Sequence, residues 1–124
     1  MHLSGKEFAE LVREALAEVP PAFRHYLENI IVDVEPTPDS KMCRELEVDD
    51  PSELLGLYHG TPLTERGFDD PIALPDRITI YQRNIEGICE SRKEIVDEIR
   101  TTVLHEIGHH FGLEEDDLDE LGFA

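Results

Sequence analysis

The longest regular element that the sequence predicts is an amphipathic helix near the end of the 124-residue chain. Ser91 and Glu94 have the spacing of a capping box, which marks the first turn of a helix. Gly112 is well placed as the left-handed residue that ends it. Between these signals, apolar residues recur at three- and four-residue spacing at Val96, Ile99, Val103, Ile107 and Phe111. This spacing predicts a helix with one face in the core.

A chain of this length has room for one core, so we expect a single domain over residues 1–124. A first helix is predicted from about residue 5 to residue 18, with Ser4 and Glu7 as its capping box. Pro20 and Pro21 end that helix and favour a short second one. Strands are predicted at residues 30–34, 54–58 and 77–83, long surface loops at 35–53 and 60–75, and a last helical turn at 116–121.

The predicted long helix carries the segment His105-Glu106-Ile107-Gly108-His109. Residues four apart on an α-helix lie about 40° apart around the axis and about 6 Å along it, so the two imidazoles project side by side and can share one metal ion. Glu106 points to the same side as His109 and can reach an open coordination position without being a ligand. The apolar stripe lies on a different side of the helix, which leaves the motif face free to line a cleft.

Surface His and Glu side chains on an ordinary amphipathic helix are the alternative interpretation. The context favours metal binding, because Gly108 places no side chain between the two His turns and Gly112 ends the helix just before a run of acids. The turn at Gly112 can send Glu115 or Asp116 back towards the metal as a third ligand. Two imidazoles and one carboxylate in a tetrahedral site suit zinc.

Residues 55–123 resemble the minimal zincin family of small bacterial metallopeptidase-like proteins. The matching pieces are residues 56–63, residues 74–78, and the HExxHxxG stretch that continues to Gly122. The resemblance implies an α+β fold, with a small sheet packed on helices, the HExxH helix near the C-terminus and an acidic ligand after the glycine. The family often has Asp where this chain has Glu115. We predict Glu115 as the third ligand, since related motifs place their final ligand ten residues beyond the first His, and keep Asp116 as the alternative.

The motif and the resemblance together predict a zinc-dependent peptidase. His105, His109 and Glu115 would hold the metal, and Glu106 would take a proton from the attacking water. The rival hypothesis is a non-catalytic metal-binding or interaction module on a zincin scaffold, because little chain is left for substrate subsites. A further alternative is an acidic protein that acts by binding a basic partner, with the metal incidental.

The formal net charge of −18 indicates which classes of partner the chain can bind. So acidic a surface repels phosphate backbones and anionic lipids, which argues against nucleic acid and membranes and favours a peptide or protein substrate of basic character. No apolar run of signal-peptide length is present near Met1, so we expect a cytoplasmic protein. Cys43 and Cys89 are far apart in sequence and are expected to be reduced, partly buried thiols.

Several other polar residues have more than one interpretation. His110 points about 100° away from His109 and is expected to support the ligands or to lie on the surface. His59 could approach the cleft, whereas His2 and His25 are expected to be solvated. Tyr58, Tyr81 and Arg77 could stabilise an oxyanion, but packing and a surface ion pair are favoured for them. If strand 77–83 lies at the edge of the sheet, as the resemblance suggests, an extended peptide could pair with it.

Overall fold

The computed structural model describes residues 1–60 and 76–112. In chain order the elements are α1 (Gly5–Ala17), α2 (Pro21–Leu27), β1 (Ile30–Glu35), α3 (Ser40–Glu45), a 3-10 turn (Pro51–Glu53), β2 (Gly56–His59), β3 (Asp76–Tyr81), α4 (Gln82–Ile88) and α5 (Arg92–His110). Helices and a small mixed sheet in these ranges form the α+β fold that was expected. The predicted loop after Gly60 and the predicted turn at 116–121 lie outside the described residues.

The described sheet has the strand order β1-β3-β2. β1 runs parallel to β3 and places Val32 opposite Ile78, while β2 runs antiparallel to β3 and places Tyr58 opposite the same residue. The expectation that the predicted strand at residues 77–83 lies at the edge of the sheet is therefore wrong. Both sides of β3 are paired, so an added peptide strand has no access to it. The edges of the described sheet are β1 and β2.

The core lies between α1, α5 and the sheet. α5 packs against α1, β2 and β3, and its predicted apolar stripe is buried as far as Ile107. Phe111 is the exception, with 44% of its surface exposed. The helix ends at His110, so Phe111 is its C-cap residue, and its ring lies against Tyr26 of α2 instead of entering the core. Burying each large apolar side chain of this core stabilises the fold by roughly 1.5–3 kcal/mol.

Local signals placed the ends of the long helices correctly. Ser4 and Glu7 form the complete capping box of α1. At α5, the Ser91 hydroxyl accepts from the Glu94 N–H at 3.1 Å, but the Glu94 carboxylate accepts from the Glu90 N–H and not from that of Ser91. Gly112 has φ +70°, the left-handed conformation expected of the residue that stops the helix.

Three short helical elements were not predicted: α3, the 3-10 turn and α4. α3 and the 3-10 turn interrupt the segment that was expected to be one long loop, and each begins at an Asp whose side chain caps it, Asp39 and Asp50 respectively. α4 begins at Gln82, inside the segment predicted as the end of a strand. Its polar side chains bond to distant backbone, for example Asn84 Nδ2 to the carbonyl of Leu54 at 2.7 Å. Such tertiary contacts leave no periodic signal in a seven-residue helix.

Both cysteines, Cys43 and Cys89, are free and buried, as expected. None of the helices in the described ranges combines the length and apolar character needed to span a bilayer.

Gly56 allows β2 to lie unusually close to α5. A Cβ atom built on Gly56 would be 2.6 Å from Cγ2 of Thr102 and 3.2 Å from the carbonyl oxygen of Thr79. Thr102 is buried on α5, three residues before His105. The absence of a side chain at Gly56 therefore sets the distance between the edge strand and the helix that carries the HExxH motif.

Gly56→Ala should force β2 and α5 apart and lower the free energy of unfolding by about 1–3 kcal/mol, because a β-branched Thr in a helix has little rotamer freedom to yield. Urea denaturation measures this loss. Thr102→Ser removes the clashing methyl group, so adding it to Gly56→Ala should restore part of the stability. A double variant no more stable than Gly56→Ala alone would show that Thr102 does not set the spacing.

Glu86 is a buried carboxylate that fastens α4 to the N-terminal segment. Only 3% of its surface is exposed, and it accepts hydrogen bonds from the Leu3 N–H at 2.8 Å, Gln82 Nε2 at 3.1 Å and Arg83 Nη1 at 2.7 Å. Burial by itself raises the pKa of Glu86, but the three hydrogen bonds and the Arg83 charge outweigh it, and the pKa lies below its ordinary value of 4.5.

Glu86→Gln should lower the free energy of unfolding at pH 7 by about 1–3 kcal/mol, since hydrogen bonds to a charged acceptor are lost. The pKa of Glu86 is lower in the folded protein than in the unfolded chain. The stabilisation from its hydrogen bonds is therefore present above the unfolded-state pKa and is lost as the pH falls through the folded-state pKa. Urea titrations from pH 7 to pH 3 should therefore show that the difference in free energy of unfolding between the wild type and Glu86→Gln becomes smaller at low pH. Glu10→Gln, an exposed change on α1, is the control. A deficit that widens on acidification would contradict the assignment.

Candidate metal centre

His105 and His109 lie on the exposed side of α5, one turn apart, while Leu104 and Ile107 on the opposite side are fully buried. The two imidazole ring centroids are 6.3 Å apart, and the ring planes are inclined by 33°. This side-by-side placement is the one expected from helical spacing. For one tetrahedral zinc ion to accept a nitrogen from each ring at about 2.0–2.1 Å, the two side chains would have to turn slightly towards each other.

Glu106 lies beside these rings and is covered by β2. Its side chain is 19% exposed, and its Oε2 is 3.8 Å from Nδ1 of His109. The carboxylate also accepts a hydrogen bond from the backbone N–H of Tyr58. Sequence reasoning placed Glu106 next to His109 but missed its contact with Tyr58, because no local pattern shows which strand lies over a helix.

The surroundings of Glu106 shift its proton affinity. Burial raises the pKa of its carboxyl, the charge of His109 and the Tyr58 N–H lower it, and burial prevails, so the pKa lies above its ordinary value of 4.5. A carboxyl with a raised pKa holds a proton more readily. That property suits a group that accepts a proton in one step and gives it away in the next.

His110 points away from the two predicted ligands. Its ring is stacked on the ring of Tyr58, with centroids 3.8 Å apart and planes 14° from parallel. Its Nε2 is 3.8 Å from Oδ2 of Asp76. The same Oδ2 accepts a hydrogen bond from the Tyr58 hydroxyl at 2.6 Å. The ring also lies over Gly60, where a Cβ atom would be 3.0 Å from Cε1 of His110. His110 therefore lies in a contact between α5 and the sheet.

The remaining candidates have the packing and ion-pair roles that were favoured. Tyr81 is 1% exposed and its hydroxyl lies 3.8 Å from Sδ of Met42. Burial and then the charges of nearby acids raise the pKa of Tyr81 to about 12, so it stays protonated at neutral pH. Arg77 pairs with Asp33 at 3.3 Å. His59 is exposed at the end of β2, and His2 and His25 are exposed, as expected of solvated side chains.

Neither predicted candidate for the third ligand lies among the described residues. Glu115 and Asp116 both lie outside the described ranges, and within residues 1–60 and 76–112 no three His, Cys, Asp or Glu side chains are grouped to hold an ion. The donors that are present fit zinc in kind: two imidazoles share one exposed helix face, with a carboxylate beside them that is held by a backbone N–H.

Comparison with known proteins bears on this arrangement. The sequence profile of zincin-like metallopeptidases matches residues 27–123, which extends the resemblance upstream to the end of α2. Among solved structures, a conserved hypothetical protein from Thermus thermophilus is 27% identical, with a TM-score of 0.57 over 88% of this chain and 94% of the other. Comparison with curated proteins gave no match. Because the family profile covers well over half of the chain, this protein belongs to the zincin-like metallopeptidase family.

Proposed function

We propose that this protein is a zinc-dependent peptidase, with His105, His109 and Glu115 as metal ligands and Glu106 as the general base. One observation carries the proposal: the Glu106 carboxylate is held between His109 and the backbone of the edge strand β2. A purely structural zinc site needs no carboxylate beside its ligands. A hydrolytic site does need one, within reach of both water and the peptide.

The side chains divide the work as follows. When bound, a zinc ion would polarise the scissile carbonyl and lower the pKa of a water molecule. Glu106 accepts the proton of the attacking water at its carboxylate and delivers it to the nitrogen of the leaving amine. The Tyr58 N–H fixes the direction of that carboxylate, and burial raises its pKa.

The substrate proposed for this site is an extended peptide of basic character. β2 is at the edge of the described sheet and lies over Glu106, so a peptide paired along it would run past the general base. We therefore propose that the substrate strand pairs with β2 and not with β3. The net charge of −18 favours approach of cationic segments.

Zinc should bind at about one ion per chain, and His105→Ala and His109→Ala should each abolish tight binding because each removes a ligand. The protein is purified without a metal-affinity column and titrated with zinc against a chromophoric chelator. Glu115→Ala should lose orders of magnitude in affinity, with Asp116→Ala near wild type. His2→Ala, an exposed change on the N-terminal segment, is the matched control.

The same titration can contradict the assignment at two points. Stoichiometric zinc in both His variants would remove the site from α5. A large loss in Asp116→Ala, with Glu115→Ala near wild type, would transfer the third ligand to Asp116. Small losses in both would mean that the ligand comes from another residue or from water.

Glu106→Gln should keep zinc bound and abolish hydrolysis, since the amide has nearly the same shape but cannot accept the proton. A rate loss of about 10²–10⁴-fold is expected for loss of a general base. The assay is digestion of an unfolded, basic peptide mixture with and without chelator. Glu98→Gln, two turns earlier on α5, is the control.

The outcome also separates the rival functions. A zinc-loaded wild type that cleaves nothing would favour the non-catalytic module. Binding of a basic peptide that weakens with salt but survives chelation would favour an acidic partner-binding protein in which the metal is incidental. Equal activity in wild type and Glu106→Gln would show that another group is the base.

A further inference from the structure

The C-terminal turn of α5 is held by a cluster that the proposed chemistry does not use. We call it the aromatic clamp, and it consists of Tyr58, Asp76, His110 and Phe111. Tyr58 and His110 stack at 3.8 Å, and Phe111 stands edge-on to His110, with centroids 4.9 Å apart and planes at 87°. The Tyr58 hydroxyl donates to Asp76 at 2.6 Å, which ties β2 to the first residue of β3.

The clamp lies at the boundary between the core and the solvent. The His110 side chain is 38% exposed and Phe111 is 44% exposed, whereas Ile107, one turn earlier, is fully buried. Core packing therefore holds α5 only as far as Ile107. Beyond that point the described contacts that restrain the helix are those of His110 and Phe111 with Tyr58, Asp76 and Tyr26.

His109 lies in this last turn and depends on it. Its side chain is 78% exposed, and the carboxylate of Glu106 is 3.8 Å from its ring. With so little packing around the ring, the described contacts of His109 fix mainly the backbone position and the Cα–Cβ direction from which its side chain starts. The same turn ends at Gly112, whose φ of +70° stops the helix.

We infer that His110 is a positioning residue for the metal centre: its stacking on Tyr58 fixes the last turn of α5 and thereby positions His109. The inference rests on the proposed function, since it concerns the same ligands. It does not require His110 to bind metal or to change charge. Residues that orient ligands from outside the coordination sphere typically contribute a factor of about 10–100 in metal affinity.

Two substitutions at His110 separate stacking from ligation. His110→Ala removes the ring and should weaken zinc binding by about 10–100-fold. His110→Phe keeps a flat ring against Tyr58 but has no nitrogen, and it should bind zinc nearly as tightly as the wild type. Tyr58→Leu removes the other ring while keeping the backbone N–H, so it should reproduce the loss. The Tyr58→Leu/His110→Ala double variant should lose little more than either single one, because both break one contact.

The readouts are zinc affinity by chelator competition, the visible absorption of the cobalt-substituted protein, and thermal unfolding of the metal-free protein. Cobalt absorption reports the geometry of the coordinating atoms, so it should change in His110→Ala and be preserved in His110→Phe. His2→Ala, an exposed histidine on the N-terminal segment, is the control and should match the wild type.

Each result decides between the alternatives. Loss of affinity in His110→Phe equal to that in His110→Ala would make His110 a ligand and overturn the inference. Lower thermal stability with unchanged zinc affinity and cobalt spectrum in His110→Ala would reduce its role to folding alone. His105→Ala is included in the same series. If this variant keeps its zinc, both the proposed function and the inference fail. If it loses zinc while His110→Ala binds zinc as tightly as the wild type, the inference alone is overturned.

Discussion

The close packing of α5 against β2 is the contact on which the site depends. It is possible because Gly56 presents no side chain to Thr102, so strand and helix approach within a distance that a single Cβ would prevent. At this distance the Tyr58 N–H reaches the Glu106 carboxylate and the Tyr58 ring covers His110. Tyr58 therefore contacts α5 twice. Its backbone N–H binds Glu106, which precedes His109 in the sequence, and its ring packs on His110, which follows His109.

Burying a carboxylate under a strand has a cost that the surroundings of Glu106 only partly offset. A carboxylate loses solvation when it is covered, and here that loss exceeds the gain from the Tyr58 N–H and the His109 charge, so the pKa of Glu106 is raised. Glu86 shows the opposite balance in the same fold. Three hydrogen-bond donors surround the Glu86 carboxylate. Their effect outweighs the loss of solvation, so the pKa of Glu86 is lowered. The same fold thus lowers the pKa of one buried carboxyl, Glu86, and raises that of another, Glu106.

The parts of the fold that sequence predicts are those that depend on neighbours along the chain. Ser4, Ser91 and Gly112 act on backbone groups within one turn, and their effects were foreseen. The parts that were missed depend on distant residues. β3 alternates Ile78 and Ile80 like a strand with one buried face, yet Thr79 and Tyr81 are buried too, because β3 is central. Helix periodicity placed His105, Glu106 and His109 together, but the Tyr58 N–H bond to Glu106 and the stack on His110 arise from the packing of β2 on α5. Glu115 remains a prediction, since it lies outside the described residues.

The charge of the chain and the strand pairing proposed for the site would act at different stages of substrate binding. The field of 29 acidic against 11 basic residues attracts cationic segments from a distance, but salt screens such attraction beyond about 8 Å under physiological conditions. It therefore acts on the rate of encounter and contributes little once a peptide is seated. Binding in register needs directional contacts, and the backbone of an edge strand supplies these without regard to side-chain charge. A site on β2 would thus accept many extended sequences, with preference for basic ones arising mainly during approach. Affinity differences between basic and neutral peptides should then shrink with added salt, while the position of cleavage relative to β2 should not change.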